Sequence, residues 1–133
     1  MIDTVYIDTS AFYAIMDRSD GHHEQAGHIW LNLVENENSL HTSNYVVVET
    51  TTLLQSRLGF EAANLWYQNV LGIVDILWVD RAVHQTAYEL WLGLGRRKLS
   101  LVDCVSFVIM RSYDIETVFG FDGHFSEQGF MQA

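Results

Sequence analysis

Short apolar runs alternate along the chain with longer segments that are apolar on one side only. The run Thr4–Ile7 is β-branched and aromatic, and it is followed at positions 8–10 by Asp, Thr and Ser, which favour the start of a helix. In residues 29–34, apolar side chains recur at helical spacing before a polar stretch. The weak run Ser39–Ser43 comes next. The first third therefore predicts strand, helix, helix and strand.

Residues 45–58 are ambiguous on composition alone. Their first half is rich in Val and Thr, which suits a strand. Their length and the recurrence of apolar residues every three or four positions favour a helix, and Gly59 provides a stop. We therefore predict a helix here, followed by a second helix over residues 61–71.

The last half continues the alternation. Residues 73–79 predict a third strand, and Asp80 can cap a helix that ends at Gly95. Residues 100–103 (SLVD) have the form of a capping box with Asp in place of Glu, which predicts another helix. Residues 117–121 predict a fourth strand, which is followed by an Asp-Gly turn. Strands that alternate with helices indicate a mostly parallel sheet covered on both faces.

Composition narrows the class of protein. The 133 residues fit one domain, residues 1–133, and 49% hydrophobic side chains are typical of a packed core. The apolar runs are too short for a membrane span, and the first ten residues contain acids but no base, unlike a secretory signal. Cys104 is the single cysteine, so no intrachain disulfide can form. We expect a soluble, cytoplasmic protein.

The net charge limits how the protein can meet nucleic acid. Seven basic and seventeen acidic residues give a formal charge of −10, which disfavours a broad nucleic-acid coating surface. Carboxylates gathered at one point can nevertheless bind Mg2+ or Mn2+, and the metal can then contact phosphate. The positions of the acids therefore decide the question.

The predicted elements bring a specific set of acids together. Ligands of parallel sheets bind at the carboxyl ends of the strands. Asp8 follows the first predicted strand, Asp122 follows the fourth, and Asp103 lies in the first turn of a helix that can point to the same edge. Glu49 lies early in the helix after the second strand. Four carboxylates are thus expected at one place.

These acids lie in motifs that resemble a known family. The motifs are VYIDTSAF at residues 5–12, VE at 48–49, SLVDC at 100–104 and FGFDGHF at 119–125. Together they resemble the PIN-domain family, in particular the VapC-like toxin ribonucleases of toxin–antitoxin modules. The resemblance implies a three-layer α/β/α sandwich with a central, mostly parallel sheet of four to five strands. It also implies a Mg2+- or Mn2+-dependent endoribonuclease, with an RNA substrate, a cognate antitoxin and a homodimer.

The resemblance further implies roles for individual residues. Asp8, Glu49, Asp103 and Asp122 would be the catalytic acids around the metal, and Ser10 would support them by hydrogen bonding. Carboxylates suit this role because Mg2+ prefers oxygen ligands. Without metal, clustered carboxylates repel one another, so at least one pKa should rise. Each acid also has a structural interpretation: Asp8 and Asp103 as helix caps, Asp122 as a turn residue, and Glu49 as a solvated helix residue.

Other residues are candidates for contacts with RNA or a partner. Arg96, Arg97 and Lys98 form the only basic cluster, which either grips RNA phosphates or compensates a helix dipole. His124 either contacts phosphate beside the site or is an ordinary surface histidine. All four tryptophans fit apolar stripes or strands, which predicts core packing. Any exposed tryptophan would instead mark a dimer or antitoxin surface.

Three other functions can be compared with the sequence: a phosphatase, a receiver domain and a noncatalytic binding module. A phosphatase of the D-x-D type is disfavoured because Thr and Ser follow Asp8, and a receiver domain is disfavoured because Lys98, the only lysine, follows no late strand. The remaining alternative is a catalytically silent PIN-like module that binds protein.

Overall fold

A parallel sheet forms the centre of the molecule, which is a computed structural model that describes residues 3–133. Within those residues, five strands pair in the order β3-β2-β1-β4-β5. The strands are β1 Thr4–Ile7, β2 Ser39–Ser43, β3 Asp75–Leu77, β4 Thr117–Phe119 and β5 Met131–Gln132. The helices are α1 Thr9–Met16, α2 His23–Glu35, α3 Asn44–Leu58, α4 Phe60–Leu65, α5 Arg81–Leu94, α6 Leu101–Ser112 and α7 His124–Glu127.

The order of the strands creates a switch point at the end of β1. Val5 is paired with Leu40 of β2 on one side and with Thr117 of β4 on the other, and both pairings are parallel. The chain first builds the sheet outward through β2 and β3 and later returns to the opposite side of β1. In open α/β sheets, the carboxyl ends of the strands at such a point form the usual binding crevice. Asp8 follows β1 directly at this place.

Helices cover both faces of the sheet and produce the expected three-layer α/β/α sandwich. The three residues Val5, Tyr6 and Ile7 of β1 are buried in succession, as befits a strand covered on both sides. Aromatic side chains fill much of the core: Phe12 meets Trp66 edge to face with centroids 5.1 Å apart. Among residues 3–133, no helix combines the length and apolarity that crossing a bilayer requires.

A buried hydrogen-bond network ties two helices to the central strand. The Tyr6 hydroxyl on β1 donates to Ser43 Oγ at 3.0 Å and lies 2.8 Å from Ser106 Oγ on α6. Ser43 Oγ in turn accepts from the Val46 backbone N–H at the start of α3. Burial raises the pKa of Tyr6 well above its usual value, so its hydroxyl stays protonated. The network therefore fixes α3 and α6 relative to β1.

Two predicted strands are shorter in the structure than the sequence pattern indicates. The predicted strand 73–79 forms only at 75–77. Two residues after its end, the Val79 N–H donates to Asn44 Oδ1 instead of to a neighbouring strand. The predicted strand 117–121 stops at Phe119, because the Phe121 N–H donates to Ser10 Oγ. In both cases a side-chain acceptor replaces the strand partner of the backbone donor.

Further differences concern the second half of the predicted helix 61–71 and two tryptophans. After α4 the chain forms a π-helical turn at Trp66–Val70 and a 3-10 turn at Leu71–Ile73. Core packing is confirmed for Trp66, which is fully buried, but is wrong for Trp78 and Trp91, which are 71% and 38% exposed. The capping box before α6 is confirmed by both of its hydrogen bonds. The domain predicted for residues 1–133 includes two residues, 1 and 2, that lie outside the described part.

Candidate active site

Asp8 is the buried centre of the acidic cluster. It precedes α1, and its Oδ2 accepts from the Ser10 hydroxyl at 2.8 Å and from the Ser10 N–H at 3.3 Å. The residue is only 5% exposed. Burial raises the pKa of Asp8 to about 7; the bonds from Ser10 oppose this shift, whereas Asp103 and Glu49 add to it. Asp8 is therefore both a helix cap and a carboxyl that resists ionisation in the absence of a cation.

Ser10 holds Asp8 in position through a second contact. While its hydroxyl donates to Asp8, its Oγ accepts from the Phe121 N–H at 2.9 Å. The serine thus links the start of α1 to the segment after β4. The Ser10 hydroxyl therefore donates a hydrogen bond to Asp8, the kind of contact that the family resemblance implies, and its supporting role at a metal site stays a prediction.

Glu49 reaches the cluster from the second turn of α3. It is partly buried, and burial raises its pKa, to which the nearby Asp103 and Asp122 also contribute. A hydrogen bond with the Thr9 side chain opposes the shift. Thr9 also accepts from the Thr50 hydroxyl at 3.1 Å, so Thr9 connects α1 to α3 beside the acids.

Asp103 enters from the first turn of α6. Its Oδ2 accepts from the Ser100 N–H at 3.0 Å, and its own N–H donates to Ser100 Oγ at 3.1 Å. Burial raises the pKa of Asp103, Asp122 raises it further, and His124 lowers it. The capping contact uses Oδ2 and leaves Oδ1 for other partners. Capping and metal binding are therefore compatible at this residue.

Asp122 and His124 follow β4 on the same side. Asp122 Oδ1 accepts from the His124 N–H at 2.9 Å. His124 Nδ1 also lies 2.8 Å from Asp122 Oδ1, which is an ion-pair distance. The angles between these two groups do not suit a hydrogen bond, so this buried nitrogen has no hydrogen-bond partner. One ligand atom each from Asp103, Asp122 and His124 lies within 4.8 Å of the others. His124 is thus a candidate metal ligand, a role that the sequence interpretation, a phosphate contact or an ordinary surface histidine, did not include.

The donor set fits a divalent cation. Asp8, Glu49, Asp103 and Asp122 supply carboxylate oxygens at the carboxyl edge of the sheet, and Asp103 and Asp122 together with His124 have ligand atoms within 4.8 Å of one another. Hard cations such as Mg2+ and Mn2+ prefer oxygen ligands, and a nitrogen donor such as His124 is also acceptable to Mn2+. The predicted rise of a pKa without metal is confirmed, although burial contributes more than repulsion does. The catalytic and metal-binding roles of the four acids stay predictions.

The basic cluster lies in the segment between α5 and α6, just before Ser100. Arg96 forms an ion pair with Glu127 at 2.6 Å, and the two side chains are about half exposed. Arg97 and Lys98 are exposed. Arg96 and Arg97 line a shallow depression together with Ser100, which places them next to the residue that holds Asp103. Their contact with RNA stays a prediction.

Cys104, which follows Asp103 directly, is fully buried. Burial raises the pKa of its thiol. A buried thiol of raised pKa is a poor nucleophile. Cys104 is therefore a packed core residue rather than a nucleophile of the site.

Comparison with known proteins decides the family. The model of the PIN domain matches residues 5–131. The chain belongs to the PIN-domain family. Its sequence is 33% identical over 130 residues to the 23S rRNA-specific endonuclease VapC20 from two strains of Mycobacterium tuberculosis, covering 97% of each protein.

Solved PIN-domain structures agree with this assignment. The crystal structure of Mycobacterium tuberculosis VapC20, a toxin that cleaves the sarcin–ricin loop, matches with a TM-score of 0.85 and 31% identity over 96% of both chains. VapBC2 from Rickettsia felis, bound to a DNA fragment from its promoter, matches with a TM-score of 0.73 over 98% of this chain and 97% of the other. At 13% identity, the second likeness shows the fold alone. The resemblance to the PIN-domain family and the three-layer fold are thereby confirmed.

Proposed function

We propose that the protein is a Mg2+- or Mn2+-dependent endoribonuclease and the toxin of a toxin–antitoxin pair. The observation that carries this proposal is the buried Asp8 at the carboxyl edge of a PIN-domain sheet, where Ser10 links it to the segment that carries Asp122. The similarity to VapC20 along nearly the whole chain supports the same activity. Carboxyl groups whose pKa values are raised by burial and by neighbouring acids, as at Asp8, Glu49 and Asp103, are typical of functional sites.

Asp8, Glu49, Asp103 and Asp122 would hold the ion, with His124 as a further donor. When bound, the ion would supply an activated water and stabilise charge on the phosphate. The chain itself keeps the ligands in place: Ser10 orients Asp8 Oδ2, and the Ser100 N–H orients Asp103 Oδ2. In the reaction, water adds to phosphorus, the bond from phosphorus to the 3' oxygen breaks, and the proton lost by the water balances the one gained by the leaving oxygen.

RNA would bind through local positive charge despite the overall charge of −10. Arg96, Arg97 and Lys98 lie beside the segment that holds Asp103, and we assign them to phosphate contacts, with His124 nearer the acids. Ribosomal RNA is the first substrate to test, because VapC20 acts on 23S rRNA. A cytoplasmic location of the protein would be consistent with such a substrate.

Cleavage of RNA with and without metal tests the proposal. We expect cleavage by the wild type with Mn2+, none with EDTA, and a loss of at least about a hundredfold in Asp103→Asn. Asn at 103 can still accept from the Ser100 N–H, so the capping contact survives while the charge is lost. Asp75→Asn, an exposed carboxylate on β3, is the matched control and should cleave normally. A wild type that binds partners but cuts no RNA would favour the silent binding module.

The antitoxin would inhibit cleavage through both electrostatic and steric contacts with the active site. A basic segment that enters the acidic cluster would compete with the metal. We therefore expect the affinity for Mn2+ to fall when the cognate antitoxin is bound, as measured by calorimetric titration of toxin and complex. Unchanged Mn2+ affinity in a complex that is inhibited would rule out displacement.

A homodimer has a candidate surface on α5. This helix exposes Tyr88, Trp91 and Leu92, and the rings of Tyr88 and Trp91 lie 5.8 Å apart. Large exposed apolar side chains in one place are typical of protein interfaces. We expect a dimer in sedimentation analysis that Leu92→Glu disrupts, and an unchanged dimer in this variant would exclude α5 as the interface.

A further inference from the structure

An apolar pocket of about 390 Å3 lies directly beside the acidic cluster. It is lined by Asn44, Tyr45, Val48, Glu49 and Val102. Both valines immediately precede acids of the cluster: Val48 comes before Glu49 on α3, and Val102 comes before Asp103 on α6. The pocket and the acidic cluster therefore share Glu49 and the N-terminal parts of the same two helices, α3 and α6.

The walls of the pocket are held by contacts outside it. The Tyr45 hydroxyl is hydrogen-bonded to His84 Nδ1 on α5, and the two rings lie 5.7 Å apart. Asn44 Oδ1 accepts from the Val79 N–H at 2.7 Å. These bonds fix the polar atoms at the rim, while Val48 is 66% exposed. Val48 therefore forms, together with Tyr45 and Val102, a largely apolar surface that is open to a ligand beside the acidic cluster.

We propose that this pocket receives one nucleobase of the RNA, next to the phosphate that is cut. The inference rests on the proposed ribonuclease function. None of the five lining residues, all within the described part of the chain, carries a positive charge, and Glu49 is acidic, so a phosphate is disfavoured. The apolar, planar part of RNA is the base, which proteins bind by stacking and by apolar contact once it is unstacked. The pocket would thus select the nucleotide at the cleavage site.

Abasic scanning combined with a substitution in the pocket tests the proposal. A set of RNAs, each lacking one base, is compared with intact RNA in single-turnover cleavage. The assay is run with the wild type and with Val48→Trp, whose larger side chain fills the pocket from an exposed helix position. In the wild type, loss of the base at one position beside the cut should lower kcat/KM about tenfold or more. Val48→Trp should lower cleavage of intact RNA by a similar factor, and loss of that same base should then have no further effect.

Two controls separate the pocket from other causes. Leu31→Trp, at a position 58% exposed on α2, should show the same effect of each base loss on cleavage as the wild type does. Calorimetry should give the same Mn2+ affinity for Val48→Trp as for the wild type, because valine at 48 supplies no metal ligand.

Three outcomes would overturn the inference. If the effects of base loss and of Val48→Trp are independent and multiply, the base does not occupy the pocket, although the ribonuclease function stands. If Val48→Trp breaks the oligomer and leaves the scan unchanged, the pocket is a protein interface. If the wild type cuts no RNA, the proposed function fails and this inference fails with it.

Discussion

Gly120 lies directly against Asp8 at the end of β4. A β-carbon at position 120 would come within 3.0 Å of the Asp8 Cβ and 3.3 Å of Ser10 Oγ. The glycine is therefore required by a close approach to the acid. The packing at this point fixes where Asp8 can lie, and with it the geometry of the proposed metal site.

Gly120→Ala should therefore damage both stability and metal binding. The added methyl must push Asp8 or Ser10 aside, at a cost of about 1–3 kcal/mol in the free energy of unfolding. Denaturant unfolding and calorimetric titration with Mn2+ measure the two effects. Gly123→Ala is the matched control, because a β-carbon there meets nothing within 4 Å. Equal behaviour of the two variants would contradict the importance of this contact.

Ser10→Ala should weaken the site from the opposite side. The substitution removes the hydroxyl bond to Asp8 and the acceptor for the Phe121 N–H, both part of one short chain of contacts. We expect a loss of about 1–3 kcal/mol in stability, because the Asp8 and Phe121 groups are left without these partners. Denaturant unfolding measures this loss. Ser56→Ala, on the exposed side of α3, should change little.

Stability without metal should depend on pH through Asp8. Its pKa is raised from the ordinary value of 3.8 to about 7 in the folded protein. Between these values the native state holds a proton that the unfolded state has lost, so stability falls as pH rises from about 4 to 7. Glu49 and Asp103 are shifted in the same direction.

Melting temperature measured in EDTA over this pH range checks the prediction. Asp17 and Glu127 have lowered pKa values and act in the opposite sense, so the difference between wild type and Asp8→Asn isolates the contribution of Asp8. The wild type should lose more stability than Asp8→Asn between pH 4 and 7. Parallel curves for the two proteins would contradict a raised pKa at Asp8.

Tyr6→Phe should destabilise the fold by about 1–3 kcal/mol, because it leaves the buried Ser106 hydroxyl without a partner and removes one of the two hydrogen bonds that Ser43 Oγ accepts. The Tyr6 hydroxyl contacts Ser43 and Ser106, which lie at the start of α3 and within α6. Urea denaturation measures the loss. Tyr113→Phe, at a position 56% exposed, serves as the control. A Tyr6→Phe variant as stable as this control would show that the network contributes little.

Local signals in the sequence were sufficient for much of the fold and for the location of the acids. Asp8, Ser100 and Asp103 have short-range capping roles that a four-residue window reveals. The rule that parallel strands end at one edge then brings Asp8 and Asp122 together. Even the ambiguous segment 45–58 was assigned correctly, since helical spacing outweighed β propensity.

The features that sequence did not reveal depend on contacts between distant residues. Phe121 leaves the sheet because Ser10, more than a hundred positions earlier, accepts its N–H. The two-residue β5 and the need for glycine at 120 likewise arise only from packing against β4 and Asp8. Trp78 is exposed because β3 ends one residue earlier, at Leu77, and hydropathy alone does not define the end of that strand.

The most direct test of the account compares Mn2+ binding with RNA cleavage in the same protein. The Mn2+ concentration that gives half-maximal cleavage should equal the Kd for Mn2+ from calorimetry. Both cleavage and tight binding should be lost in Asp8→Asn, which retains a residue that caps helices. Cleavage that persists in EDTA, or an Asp8→Asn variant that binds Mn2+ and cuts RNA as the wild type does, would contradict a metal-dependent ribonuclease centred on Asp8.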